Sequence, residues 1–166
     1  MNRFVLLGLL TMVSVPALPC TCVSAAGSTA KTATNDYPVV FRGTVLERKL
    51  LPQRIEMKGR RRYAITFRVD EYWKGSPDRT RILYGVDDGT DCLGDGGYEV
   101  GKNYLVYAVE QVSKDQVLGD VFWFGWTDVL PEGTHMLVPA ACTPGGETTV
   151  AMVRTALREL GKGRTP

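Results

Sequence analysis

R-Y-A-I-T-F-R-V-D-E-Y-W, Arg62 to Trp73, decides the fold class. Tyr63, Ile65, Phe67 and Val69 alternate with small or polar residues, the period of a strand that buries one face and wets the other. An antiparallel strand of that kind needs partners, and the flanking sequence supplies them. Upstream, Val39 to Leu50 reads as a strand with Val39, Phe41 and Val45 among small or polar neighbours, and Pro52 and Gly59 bracket a turn region. Downstream, Lys74-Gly75-Ser76-Pro77-Asp78 is a turn and Thr80 to Tyr84 a short strand. Asp87 to Gly97 is a loop holding Cys92, and Lys102 to Val112 is a further strand. Gln116 to Thr127 is aromatic and strand-like, and Thr134 to Cys142 completes the set.

One good helix follows, Glu147 to Leu160, with Val150, Val153, Leu157 and Leu160 on one face. Thr148 or Thr149 is placed to cap it and Gly161 to stop it. Ala25 to Asn35 is small and polar, a loop with room for one helical turn. No repeat or linker divides the chain. The reading is a mainly β protein: a five- to six-stranded antiparallel barrel of the oligonucleotide/oligosaccharide-binding type, with one C-terminal amphipathic helix.

The chain has 166 residues, enough for one domain with a real core. Its start reads differently. Arg3 is a positive flank, Phe4 to Val15 an apolar run, and Val15-Pro16-Ala17 a small-residue cleavage site. Residues 1–17 are expected to be a signal peptide, with cleavage as late as 19, and 18–166 the single mature domain. The apolar run is too short for a stable membrane anchor. The expectation is an exported protein, periplasmic or secreted.

Export bears on the four cysteines, Cys20, Cys22, Cys92 and Cys142, because an even count in an oxidising compartment suggests two disulfides. A bridge between Cys20 and Cys22 closes too small a ring. Each therefore reaches to Cys92 or Cys142, and the residues leave both pairings open. Rival readings of Ala17-Leu18-Pro19-Cys20-Thr21-Cys22-Val23 fit less well. Pro19 is wrong for an acylated cysteine, a haem site needs two intervening residues and a histidine, and tetrahedral zinc sites space their paired cysteines more widely.

Charge excludes little. Lys and Arg total 20 against 18 acidic residues, a net of +2 that falls to +1 when Arg3 leaves with the leader. Lys58-Gly59-Arg60-Arg61-Arg62 is a local basic run, read as a solvated hairpin loop rather than a polyanion patch. No nucleic-acid partner is expected. Nor does catalysis gain support. His135 is the only histidine and is expected on a strand surface or rim; no serine sits in a G-x-S-x-G context. Asp87, Asp88, Asp91 and Asp95 miss the spacing of a calcium loop. No motif calls for a cofactor. Val121-Phe122-Trp123-Phe124-Gly125-Trp126 is the strongest aromatic run, expected to fill the barrel or cover its end, or else to offer a contact surface.

Cys20-Thr21-Cys22-Val23 resembles the mature start of the tissue inhibitors of metalloproteinases, the netrin-like branch of this barrel fold. The likeness continues in order through Tyr72-Trp73-Lys74-Gly75, Cys92 with Gly94, Gly101-Lys102-Asn103-Tyr104-Leu105-Val106, Cys142 and Leu157. It is greatest to single-domain bacterial relatives, since the family's further bridge and its disulfide-rich C-terminal domain are missing. The resemblance implies bridges Cys20–Cys92 and Cys22–Cys142. It also implies that Cys20, as the mature N-terminus, offers its backbone amine and carbonyl to the zinc of a metalloprotease, with Thr21 in the specificity pocket and Cys22 and Val23 beside it. Cleavage after Ala17 would leave Leu18-Pro19 ahead of that amine. The alternative is a non-inhibitory extracytoplasmic module binding a protein or glycan.

Overall fold

The computed structural model describes residues 29–52, 60–87, 97–118, 121–140 and 143–166, with backbone alone at 116–118 and 121–124. The order is α1 (Ala30–Asp36), β1 (Val39–Leu50), β2 (Arg61–Lys74), β3 (Thr80–Asp87), β4 (Asn103–Val112), β5 (Gln116–Leu118), β6 (Val121–Phe124), β7 (His135–Pro139), β8 (Gly146–Glu147) and α2 (Ala151–Leu160). The sheet runs β1-β2-β3-β7-β4, and β4 pairs back to β1, so five strands close a barrel to which β8 adds at β4. Four of the five seams are antiparallel; β3 and β7 run parallel, joined at Leu83 and Leu137. The chain between β4 and β7 enters β7 from the end where β3 also begins, which makes that seam parallel.

β2 is the strand read from alternation, and its Tyr63, Ile65, Phe67 and Val69 do point inward and are buried. They meet Phe41, Val45, Leu83, Tyr98, Tyr104, Val106 and Ala108. Four edge-to-face ring pairs fill the interior: Phe41–Phe67 at 5.4 Å, Phe67–Tyr98 at 5.3 Å, Phe67–Tyr104 at 6.4 Å and Tyr98–Tyr104 at 4.9 Å. The barrel is packed, with a side-chain core where a larger barrel would hold a ligand. β1 coils to pair with both β2 and β4 through register shifts after Val40, Arg42 and Val45. At Gly43 a Cβ would lie 2.6 Å from the Arg68 carbonyl oxygen, so the closest approach of β1 to β2 requires glycine.

Two clusters coat the outside. On one flank Ala30 and Ala33 of α1, Val153 and Ala156 of α2, and Val40, Leu105 and Tyr107 of the wall pack together. On the other, Trp126, Val86 and Met136 are joined by Leu51, Tyr84, Val129, Leu130 and Val138. Trp126 thus lies on the outer wall, neither filling the barrel nor covering its end, while β5 and β6 form a separate two-stranded sheet instead of one strand through Thr127.

Several boundaries differ from expectation for identifiable reasons. β3 extends to Asp87 because Arg61 and Asp87 pair at 2.6 Å across the β2–β3 ladder. Glu147 belongs to β8, opposite Tyr104, so α2 starts only at Ala151. Neither Thr148 nor Thr149 caps it: the N-cap is Val150, and the Thr149 hydroxyl is turned to the Glu147 carboxylate. Val150 is exposed rather than part of the packed face, which is Val153, Ala156, Leu157 and Leu160. Gly161 does end the helix, at φ 68°. The loop before β1 holds a two-turn helix, α1, capped by Thr29. Arg62 was expected in a solvated loop and is wholly buried. Among the described residues no helix is long and apolar enough to cross a membrane.

Candidate binding surface

Cys20, Thr21, Cys22, Val23, Cys92 and Cys142 lie outside the described residues, as do the leader and Asp88, Asp91 and Asp95. The described residues show what their neighbours in the chain are tied to. Thr29 sits seven positions beyond Cys22 and accepts the Thr32 amide at 3.2 Å as the α1 N-cap. The next amide, Ala30 N–H, donates to the Glu159 carboxylate of α2 at 2.8 Å, and the Tyr107 hydroxyl donates to the Ala30 carbonyl at 3.2 Å. At the other end of α1, Lys74 Nζ donates to the carbonyls of Thr34 and Asn35 at 2.9 and 3.0 Å. A carboxylate at the N-terminus and an ammonium at the C-terminus both complement the helix dipole. A seven-residue helix is marginal alone; these four contacts and the burial of Ala30 and Ala33 hold it.

Tyr107 is the hub of this flank. Its ring meets Tyr37 edge-on at 5.6 Å, its hydroxyl reaches Ala30, and its backbone carbonyl accepts the Ala140 amide at 2.8 Å. Burial pushes its phenol up to about 12. The described segments that begin at Thr29 and end at Ala140 therefore meet at one residue, through its hydroxyl and its backbone carbonyl.

A second group gathers where β4 begins. Lys102 Nζ lies 3.0 Å from both Glu147 and Glu99. The hydrogen bond to Glu147, then that to Glu99, raise the Lys102 ammonium well above the ordinary lysine range. Glu147 is correspondingly held below its ordinary value by the Thr149 hydroxyl first and Lys102 second. Next to it, Asn103 Nδ2 donates to Asp70 at 2.7 Å and to Thr44 at 3.0 Å, and Arg68 meets Asp70 at 3.2 Å. These contacts stitch β1, β2 and β4 together on the outer wall.

The third feature is Arg62. Nη1 and Nη2 each lie 2.6 Å from an oxygen of Asp128; Nη1 also donates to the Gly125 carbonyl at 2.7 Å and Nη2 to the Pro52 carbonyl. Its guanidinium faces the Trp126 ring at 5.8 Å. One side chain thereby fastens the 125–130 segment to the β1–β2 turn. His135 is exposed, as expected, in an open cleft with Glu110, Gln111, Val112 and Lys114.

Sequence reasoning missed the Tyr107 hub, the Glu159 contact and the Arg62–Asp128 pair. The first had a faint signal: Tyr104-Leu105-Val106-Tyr107-Ala108 is apolar on both faces, the mark of a strand covered inside and out. Among the described residues no three His, Cys, Asp or Glu side chains group to hold a metal ion. No family model, curated protein or solved structure matches the chain.

Proposed function

We propose that this chain is an exported, disulfide-stabilised inhibitor of a zinc metalloprotease, acting through Cys20-Thr21-Cys22-Val23. The observation that carries the reading is the convergence on Tyr107. Ala30 is bound to the side chain and Ala140 to the backbone of the same residue, which supports a bridge between the segments that lead to Cys22 and Cys142. A wedge held in this way loses little freedom on binding. The filled interior favours the same reading, because recognition must then use the periphery. In the proposed mechanism the unprotonated Cys20 amine and the Cys20 carbonyl ligate the protease's zinc, and Thr21 enters the adjoining pocket.

The test has two steps. Mass analysis of the mature exported protein should give a chain beginning at Cys20 with two bridges, Cys20–Cys92 and Cys22–Cys142. Inhibition of a zinc endopeptidase should then be abolished by one alanine added before Cys20, with the fold unchanged by circular dichroism. Inhibition that survives the extension sinks the proposal. One observation favours a second reading, a non-inhibitory module for an extracytoplasmic protein or glycan: the Val15-Pro16-Ala17 site would leave Leu18-Pro19 in front of the amine. A mature chain beginning at Leu18 selects it.

A further inference from the structure

A closed barrel has no sheet edges except where one strand outruns its neighbour, and among the described residues β1 and β2 are two strands that do. β1 leaves β4 after Thr44 and continues to Leu50. That overhang carries Glu47, Arg48 and Lys49, three successive charges of the kind that discourage pairing with another chain. β2 leaves β3 after Arg68, where the last ladder pair is Arg68 with Thr80, and runs on to Lys74. Its overhang, Asp70-Glu71-Tyr72-Trp73-Lys74, has two aromatic residues at its centre and is guarded differently.

The segment after α2 lies on it. Tyr72 N–H donates to the Arg164 carbonyl at 2.8 Å and Arg164 N–H to the Tyr72 carbonyl at 2.9 Å, a complete antiparallel pair. Gly163 N–H donates to Glu71 at 2.7 Å, Trp73 Nε1–H to the Gly161 carbonyl at 3.0 Å, and the Arg164 guanidinium stands 4.7 Å over the Tyr72 ring. The fit is tight at one point. A Cβ on Gly163 would come 2.7 Å from Glu71 Cγ, 2.9 Å from the Tyr72 carbonyl oxygen and 3.1 Å from the Trp73 ring.

We propose that residues 161–164 are a strand cap, and that the edge they cover, Asp70 to Lys74, is a self-association site which takes the same edge of a second copy when the cap is displaced. The covered edge is self-complementary. Tyr72 presents both its N–H and its carbonyl outward, so a two-fold axis at Tyr72 lets two copies exchange the same two bonds that Arg164 now makes. Counted residue for residue from that axis, Asp70 falls opposite Lys74 and Glu71 opposite Trp73 with no like charges facing, while Asp70 and Trp73 are bulged in the pairing with β1 on the strand's other side. The cap therefore keeps a competent edge out of use, while the charged β1 overhang needs none.

The test compares the intact mature chain, a chain ending at Leu160 and the full-length Gly163→Val variant by sedimentation over a concentration series, with circular dichroism to follow the fold. The intact chain should remain monomeric. Truncation and Gly163→Val should each double the mass with the barrel spectrum kept. Adding Lys74→Asp to the truncated chain places like charges at both ends of the register and should return it to monomer. A truncated chain that stays folded and monomeric overturns the proposal, as does association that Lys74→Asp leaves unchanged. Loss of the fold in both capless variants also overturns it, because the segment would then be a structural part of the barrel and not a cap.

Discussion

The Arg62–Asp128 pair tests how the segment bearing the aromatic run is held. Arg62 is 0% exposed and Asp128 30%, and the two share a bidentate contact of 2.6 Å per arm. Removing one partner of a buried pair costs about 3–5 kcal/mol, since the other charge stays behind. Here the Gly125 and Pro52 carbonyls remain on the guanidinium, and water can reach the Asp128 side. Asp128→Ala should therefore fall at or below the low end, about 2–3 kcal/mol. In a domain of this size that lowers Tm by about 5–10 °C.

Removing both charges should cost less than Asp128→Ala alone. Arg62→Met with Asp128→Ala leaves an apolar stem against Trp126 and no stranded charge. Urea unfolding of the two single variants and the double variant gives the coupling energy directly. A value above about 1 kcal/mol is expected. Asp128→Ala within about 0.5 kcal/mol of the parent would refute the reasoning, because a surface substitution costs no more.

Tyr107→Phe combined with Glu159→Gln removes or weakens two contacts to Ala30; amide exchange over residues 30–36 should speed up by about tenfold while the barrel's does not, following roughly 1 kcal/mol per lost bond. The same phenol, raised by burial, gives stability that is full below pH 10 and lost as pH rises towards its folded value of about 12, so Tyr107→Phe should flatten the alkaline limb of stability. Glu147 is shifted the other way. Its contribution is present above the ordinary carboxylate range and lost as pH falls through its depressed folded value, so Glu147→Gln should flatten the acid limb of a Tm–pH series. Gly43→Ala drives a Cβ into the Arg68 carbonyl and should cost about 1–3 kcal/mol in urea unfolding, as overpacking does.

What the sequence revealed follows from which interactions are local in the chain. The strands with clean alternation, β1 and β2, were legible to within a residue because the pattern and the burial share one cause. The β3–β7 parallel seam was not, since it depends on how the 113–134 connection travels and not on either strand's composition. Glu147 illustrates a sharper failure. It has good helix propensity and sits where a helix should begin, but pairing with Tyr104 and the reach of Lys102 draw it into β8. Arg62 failed for a related reason: a basic run looks solvated until one member meets a carboxylate 66 positions away.

The docking of α1 and the proposed Cys22–Cys142 bridge act on different states of the chain. Docking of α1 on Tyr107 and Glu159 stabilises the folded state. A Cys22–Cys142 bridge would act chiefly on the unfolded chain, closing a loop of about 120 residues worth roughly 4–5 kcal/mol in the chain-entropy model. Their effects should add, because neither depends on the other's contacts. Reduction would then lower the global stability without undocking α1. In the proposed inhibitor the bridged residues ahead of Thr29, which meet the protease, would then lose a tether. The bridge would thus serve the barrel through its unfolded state and the wedge through its folded one. Loss of inhibition should precede loss of the fold as reductant is raised.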